Sequence, residues 1–378
     1  MRAVVLDGWG RHPVVRDVDE PEIGVGQAFL RFRAAGLNPV DLAIAAGRFY
    51  GAIPEPPFTL GAEVVGEVVR SARFAPGTRV WALTTVGGFG EYVAAEDDAL
   101  VAVPEGISDE LAAAIGIAGL AGWMSVLHRA QLAAGETVLV LGASGVVGQV
   151  AVQAARLRGA GRVIAAARTK EGLERALALG AHWFVPLDDG DMATELRAAC
   201  APGADVIIDM VWGSPILAAL EAARTRCRVI QVGNAAGATA AITGGTLRGG
   251  RLDIRGFSVF TEGTAEVASA YEALAEAVRT GSVALQVESL PLAQALGELP
   301  AHEFDLFCEE LLLMLDDEFQ FPHRAATFAE VLRGVDLAIP RGKRYLSCVS
   351  RCSVPTGFFT SNEVVDHECH RRGSLLRR

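Results

Sequence analysis

From Glu136 onward the apolar residues gather into short unbroken runs separated by stretches with helical spacing. Thr137–Leu141 (TVLVL), Arg162–Ala167 (RVIAAA), 206–209 (VIID) and 228–233 (RVIQVG) are rich in β-branched residues and show no polar alternation. Such runs suit parallel strands covered on both faces. The intervening segments, from Val146, at 170–179 and at 215–223, read as helices, so strand and helix alternate. The first hundred residues read differently. Short strands at 3–6, 28–32, 62–69 and 79–81 are punctuated by Pro21, Gly24, Gly26, Pro54, Pro56, Pro57, Pro76 and Gly77, which predicts a β-rich unit. Between the two lies a helical stretch, 109–129. Its uncharged core, 111–127, is about the minimum length for a membrane span, rich in Ala and Gly, and preceded by Asp109 and Glu110. It therefore predicts a buried helix pair at a domain junction. The expected fold is α/β, a doubly wound parallel sheet of Rossmann type joined to a β-rich domain.

The junction after Leu141 carries the chemistry. Gly142 is followed by Ala143-Ser144-Gly145-Val146-Val147-Gly148, an A-x-G-x-x-G loop between a buried strand and a helix that stops near Gly159 and Gly161. In that setting Gly145 lets the backbone approach a pyrophosphate, Gly148 lets the helix pack closely, and the helix start offers N–H groups to an anion. The next strand, Arg162–Ala167, follows at the βαβ distance that the motif needs. At its end an NAD site usually carries an acid for the ribose hydroxyls, whereas this chain continues Ala167, Arg168, Thr169, Lys170. A guanidinium binds a 2′-phosphate that a carboxylate would repel, so NADP(H) is the expected cofactor. The alternative is that Arg168 and Lys170 merely solvate a helix start.

Composition narrows the partners. The chain has 378 residues, 51% hydrophobic and 21% charged, with a net charge of −11, enough for two cores and unsuited to non-specific binding of nucleic acid or anionic membrane. A small-molecule electrophile is the expected partner. The N-terminus MRAVVLDGWG reads as a strand, without the apolar core and cleavage site of a secretory signal, so a cytoplasmic location is expected. The six cysteines, Cys200, Cys227, Cys308, Cys348, Cys352 and Cys369, all lie in the second half, which leaves none to hold a metal in the first 199 residues.

Several ordered motifs resemble the medium-chain dehydrogenase/reductase superfamily, in its zinc-independent quinone oxidoreductase branch. They are Gly36-Leu37-Asn38-Pro39-Val40-Asp41, Gly61-Ala62-Glu63-Val64-Val65-Gly66, the 142–148 loop, Asp205 to Gly213 (DVIIDMVWG), Val232-Gly233-Asn234 and Ile254-Arg255-Gly256-Phe257-Ser258, spanning roughly residues 1–295. The resemblance implies a GroES-like catalytic domain built from 1–122 and 259–378 around an NADP-binding Rossmann domain, 123–258, and a homodimer formed through strands near 252–259. Zinc alcohol dehydrogenases of the superfamily carry a cysteine where this chain has Asn38, a histidine where it has Ala62, and a four-cysteine lobe where it reads 90–98. Without those ligands the implied reaction is hydride delivery from NADPH to an electron-poor C=C bond of a quinone or α,β-unsaturated carbonyl. An enoyl-thioester reductase and a non-catalytic NADPH-binding protein are the alternatives.

The resemblance also implies roles. Asn38 would sit beside the nicotinamide and donate to the substrate oxygen, and Asp41 would fix its loop. Tyr50, displaced by one from the family's G-x-Y tyrosine, would supply a proton or simply line the cleft. Val232, Gly233, Asn234, Gly256 and Phe257 would contact the nicotinamide. A threonine common in the family is replaced within Gly119-Leu120-Ala121-Gly122. Asp209 reads as a loop-capping acid and His128 as a helix C-terminal cation or solvated residue, while Trp9, His12 and Trp81 have no evident chemical partner in the sequence. After about Leu292 the resemblance fades. Helices at 303–315 and 325–332 precede Arg341-Gly342-Lys343-Arg344-Tyr345-Leu346, which resembles the family's closing strand, so an insertion of roughly thirty residues or an unrelated C-terminus is expected. Residues 341–378 carry a net charge of +5 and collect Cys348, Cys352, His367, Cys369 and His370 in no common metal spacing, which reads as a basic tail.

Overall fold

The computed structural model describes residues 1–287 apart from His12, Asp188 and Asp189. The expectations for the helices at 303–315 and 325–332, the closing strand and the basic tail lie outside the described residues.

The N-terminal unit holds two antiparallel sheets. β1 (Arg2–Leu6) pairs with β2 (Val14–Asp17), while β3 (Gln27–Ala34) leads to α1 (Pro39–Ala45) and β4 (Phe58–Thr59), which pairs with the other side of β1. β5 (Glu63–Arg70), β6 (Arg79–Leu83), β7 (Tyr92–Glu96) and β8 (Val101–Ala102) join β3 in a five-stranded sheet ordered β7-β3-β5-β6-β8. Leu30, Val64, Val68, Val80, Val93 and Ala95 fill one face of it. The hydrophobic pattern does not reveal β2, β4, β7 or β8. They are short or half-exposed edge strands, so no continuous apolar run marks them.

The second unit is a six-stranded, all-parallel sheet. Its strands are β9 (Thr137–Leu141), β10 (Arg162–Ala167), β11 (Trp183–Pro186), β12 (Ala204–Asp209), β13 (Ala223–Gln231) and β14 (Asp253–Gly256), in the order β11-β10-β9-β12-β13-β14. This is the doubly wound order, with its switch point between β9 and β12. The unbroken runs in the sequence have a plain cause. Val138, Val140, Val163, Ala165, Val206 and Ile208 join one core, and Leu139, Leu141, Ile164, Ala166 and Ile207 join another. Alternate side chains thus enter two cores, and neither face meets water. Compared with expectation, β13 begins earlier, at Ala223, and the helix before it runs Gly213–Glu221.

Between the units, α2 (Asp109–Ala114) and α3 (Leu120–Met124) are joined by a wide π-type turn at Ile115–Gly119, and a second such turn, Ser125–Arg129, follows. The expected helix pair is one helical run broken at Gly116, whose ψ of −124° is non-helical. Its most apolar window is 72% buried inside the structure, as in a core helix. α4 (Val146–Leu157) packs on α3 at Gly122, where a Cβ would stand 2.9 Å from Val150 Cβ. Further on come α5 (Lys170–Ala178), α6 (Met192–Cys200), α7 (Gly213–Glu221), α8 (Gly244–Gly250) and α9 (Thr264–Arg279). α9 buries Tyr271 against this junction, with the Tyr271 hydroxyl donating to the Ala112 carbonyl at 2.9 Å.

Candidate active site

The glycine loop leaves β9 at the switch point. Gly142 has φ +86°, and its N–H donates to the Ala166 carbonyl at 2.8 Å, which turns the chain sharply over the neighbouring strand. A Cβ at Gly148 would stand 2.6 Å from Ala143 Cα, so only glycine lets α4 start this close to the loop. Gly145 differs. The nearest atom to its missing Cβ is the Gly142 carbonyl at 3.8 Å, so its outer side is open. Val146, Val147 and Gly148 form the first turn of a twelve-residue helix, where backbone N–H groups have no intrahelical acceptor. An open glycine, free N–H groups and a positive helix end are what a pyrophosphate requires, and this loop offers all three. Ala143 is fully buried, and the Ser144 carbonyl accepts from Gln149 Nε2 at 2.7 Å, which fixes the loop from behind.

At the end of β10 the three polar residues divide their work. The Thr169 hydroxyl accepts from the Gly172 N–H at 3.3 Å and caps α5, and Lys170 pairs with Glu174 at 3.7 Å while remaining exposed. Arg168 lies exposed in the step before the cap. Gly172 has no room for a Cβ because Ser144 fills that place, so the glycine loop and the start of α5 lie against each other.

On the other side of the switch point, Asp209 ends β12. Its Oδ1 accepts from the N–H groups of Val211 (2.9 Å) and Trp212 (2.8 Å), the expected loop-capping role. Burial raises its pKa to about 6 against the pull of the Trp212 and Val211 N–H groups. The N–H groups of Val232 and Gly233 donate to the Asp209 carbonyl at 2.8 and 3.2 Å, and Asn234 beside them is exposed. Gly256 is exposed, and its carbonyl accepts from Arg129 Nε at 3.0 Å. The Phe257 ring, by contrast, is buried in the main core, and its N–H donates to the Gln231 carbonyl at 2.9 Å.

The N-terminal unit contributes a buried polar cluster. Asn38 caps α1, and Asp41 in the first turn accepts from the Asn38 N–H (2.8 Å) and from the Ala62 N–H (2.9 Å), holding the loop to β5. Burial lifts the Asp41 carboxyl to a pKa of about 7, opposed by the Asn38 and Ala62 N–H groups and reinforced by Glu63. Asn38 Nδ2 donates to Glu63 Oε1 at 2.7 Å, and Glu63 Oε2 accepts from Trp81 Nε1 at 2.7 Å and from the Ile117 N–H at 2.8 Å. Asn38 is 5% exposed and Glu63 is 1% exposed, and burial pushes the Glu63 carboxyl above its ordinary range. Trp81, without evident partner in the sequence, therefore has one, and its ring stacks on Tyr271 at 4.7 Å. Trp9 likewise donates from Nε1 to Glu55 at 3.1 Å. His128 is exposed in the last turn of the junction helix.

Tyr50 reaches across to the second unit. Its hydroxyl lies in a short contact with Ser258 Oγ, beyond β14, and its ring packs beside Phe49, which meets Phe260 edge-on at 5.3 Å. The side chain is 67% exposed. The residue that sequence reasoning left without a role is Glu63. Its signal is a lone acid inside the otherwise apolar strand start Ala62-Glu63-Val64-Val65. Among the described residues no cluster of His, Cys, Asp and Glu has the form of a metal site.

Known proteins match this arrangement in both units. Residues 24–105 match the model of the alcohol dehydrogenase GroES-like domain, and residues 146–277 match that of the zinc-binding dehydrogenase domain. The chain is 35% identical over 243 residues to a quinone oxidoreductase of Lama guanicoe, covering 62% of this chain and 73% of that one. It is 34% identical over 220 residues to a quinone oxidoreductase of Pongo abelii, covering 56% and 66%. Among solved structures, the quinone oxidoreductase from Thermus thermophilus, determined also in complex with NADPH, superposes with a TM-score of 0.66 at 30% identity, covering 82% of this chain and 96% of its own. The chain belongs to the medium-chain dehydrogenase/reductase superfamily, in its quinone oxidoreductase branch.

Proposed function

We propose that the protein is an NADPH-dependent, zinc-independent reductase that adds hydride to a quinone or to the C=C bond of an α,β-unsaturated carbonyl. The observation that carries this reading is the open cradle at Gly145 and the helix start behind it, with Arg168 rather than an acid at the end of the next strand. A relative of the same branch, the Thermus thermophilus enzyme, is known with NADPH bound. When bound, NADPH supplies the hydride. Loop residues 143–148 would hold its pyrophosphate, Arg168 its 2′-phosphate, and residues 232–234 with 256–257 would face the nicotinamide. The amide of Asn38 keeps a second N–H beyond the one given to Glu63, and we assign it to the substrate oxygen, where negative charge develops. Asp41 holds the loop, and Tyr50 is the candidate for the proton. The amide at Asn38 and the methyl at Ala62 offer no metal ligation of the Cys or His kind.

The proposed division assigns 1–122 with 259–378 to the catalytic unit and 123–258 to the cofactor unit, in a cytoplasmic homodimer. The deciding experiment supplies NADPH or NADH with a panel of quinones, enones and enoyl thioesters. NADPH oxidation with quinones or enones, and NADPH binding at least ten-fold tighter than NADH, is expected. Turnover confined to enoyl thioesters would make it an enoyl reductase. Tight NADPH binding without any turnover would make it a non-catalytic binding protein.

A further inference from the structure

We propose that Glu63 is the positioning residue of the site: its carboxylate holds the Asn38 amide nitrogen-first, leaving the second N–H of that amide for the substrate oxygen. This rests on the role assigned to Asn38 above. Three donors converge on Glu63, one on Oε1 and two on Oε2, at 2.7 to 2.8 Å, and none of them is a cation. A carboxylate at 1% exposure without a cationic partner is costly unless hydrogen bonds satisfy its oxygens, and these three donors do so. What a carboxylate does that other side chains do not is accept at both oxygens. Trp81 Nε1 and the Ile117 N–H are obligatory donors, so Oε2 has no choice of role. The Asn38 amide alone among the three partners has two ends, a donor and an acceptor. The polarity of Glu63 therefore decides one thing, which end of Asn38 faces it. The backbone of Asn38 is fixed as well, its carbonyl accepting from the Asp41 N–H at 2.9 Å and its N–H donating to Asp41 Oδ2 at 2.8 Å.

Glu63→Gln separates this role from a purely structural one. A glutamine must turn its oxygen to Trp81 and Ile117, which leaves its NH₂ opposite the NH₂ of Asn38. Two donors repel, so the Asn38 amide has to turn. The chain has three asparagines, Asn38, Asn234 and Asn362, so asparagine-selective ¹⁵N labelling isolates the side-chain amide of Asn38. In the full-length protein its NH₂ pair is expected to exchange slowly with water and to shift in E63Q, while the other two pairs stay in place. With a quinone or enone, E63Q is expected to lower kcat at least ten-fold with NADPH affinity within two-fold of wild type. The double variant N38A/E63Q should be no slower than N38A alone. An unmoved Asn38 amide pair in E63Q would overturn the proposal, as would effects of N38A and E63Q on kcat that multiply. If the wild type turns over no substrate, the functional reading fails, and the amide resonance still decides whether Glu63 holds Asn38.

Discussion

Glu63 occupies the space in which a side chain at Gly116 would begin: a Cβ there would stand 2.9 Å from Glu63 Cδ, nearer still to Oε2, and against Trp81 Nε1. The break at Gly116 in the junction helix frees the Ile117 N–H, and that N–H donates to the same carboxylate. A strand of one unit and the helix leading into the other are thus joined through one buried acid. Gly116→Ala should lower stability by about 3 kcal/mol through overpacking. Urea unfolding would read this as a lower midpoint at unchanged slope, and a variant as stable as wild type would show that the strand and helix can separate without cost.

The two loop glycines should behave oppositely. Gly148→Ala forces a methyl against Ala143 Cα and the Gly142 carbonyl, so thermal stability and NADPH affinity should fall together. Gly145→Ala meets nothing closer than 3.8 Å, so unfolding should change by no more than about 0.5 kcal/mol. Its methyl nevertheless enters the path of a phosphate, and NADPH titration followed by fluorescence should show at least ten-fold weaker binding.

Arg168 should set the choice of cofactor. Removing a charge-assisted contact to phosphate costs about 1.5–3 kcal/mol, roughly ten- to hundred-fold in affinity. Arg168→Ser should therefore weaken NADPH by that factor and leave NADH within two-fold. Equal losses for both nucleotides would remove Arg168 from phosphate recognition.

Tyr50 offers a hydroxyl at the seam between the units. If it supplies the proton, Tyr50→Phe should lower kcat with an enone by about a hundred-fold or more. Full turnover in that variant would leave the ring as a lining of the cleft beside Phe49 and Phe260.

Buried acids without cations give a pH dependence of definite sign. The Asp41 carboxyl titrates near 3.8 when unfolded and at about 7 when folded, so between those values the folded state binds more protons. Stability should then fall as pH rises through that window and level off above about 7. Asp209, with a folded pKa of about 6, acts in the same direction. Chemical denaturation from pH 4.5 to 8 would reveal this decline, and a shallower one should be seen in Asp41→Asn.

The strands of the parallel sheet were legible in the sequence because both of their faces are dry, so burial writes itself into continuous runs such as Thr137–Leu141 and Arg162–Ala167. The glycine loop was legible for a similar reason, since the tight turn at Gly142 and the close approach at Gly148 each admit little but glycine. The same locality revealed the loop-capping role of Asp209, whose partners lie two and three residues on. What depended on distant partners was not legible. Glu63 meets Asn38, Trp81 and Ile117 from three separate segments, and Tyr50 meets Ser258 from 208 positions away. The lone acid in the apolar run Ala62-Glu63-Val64-Val65 hints at burial but names none of its partners. Only the tertiary structure, by removing water from around Glu63 and placing three donors on it, decides that this carboxylate holds the site.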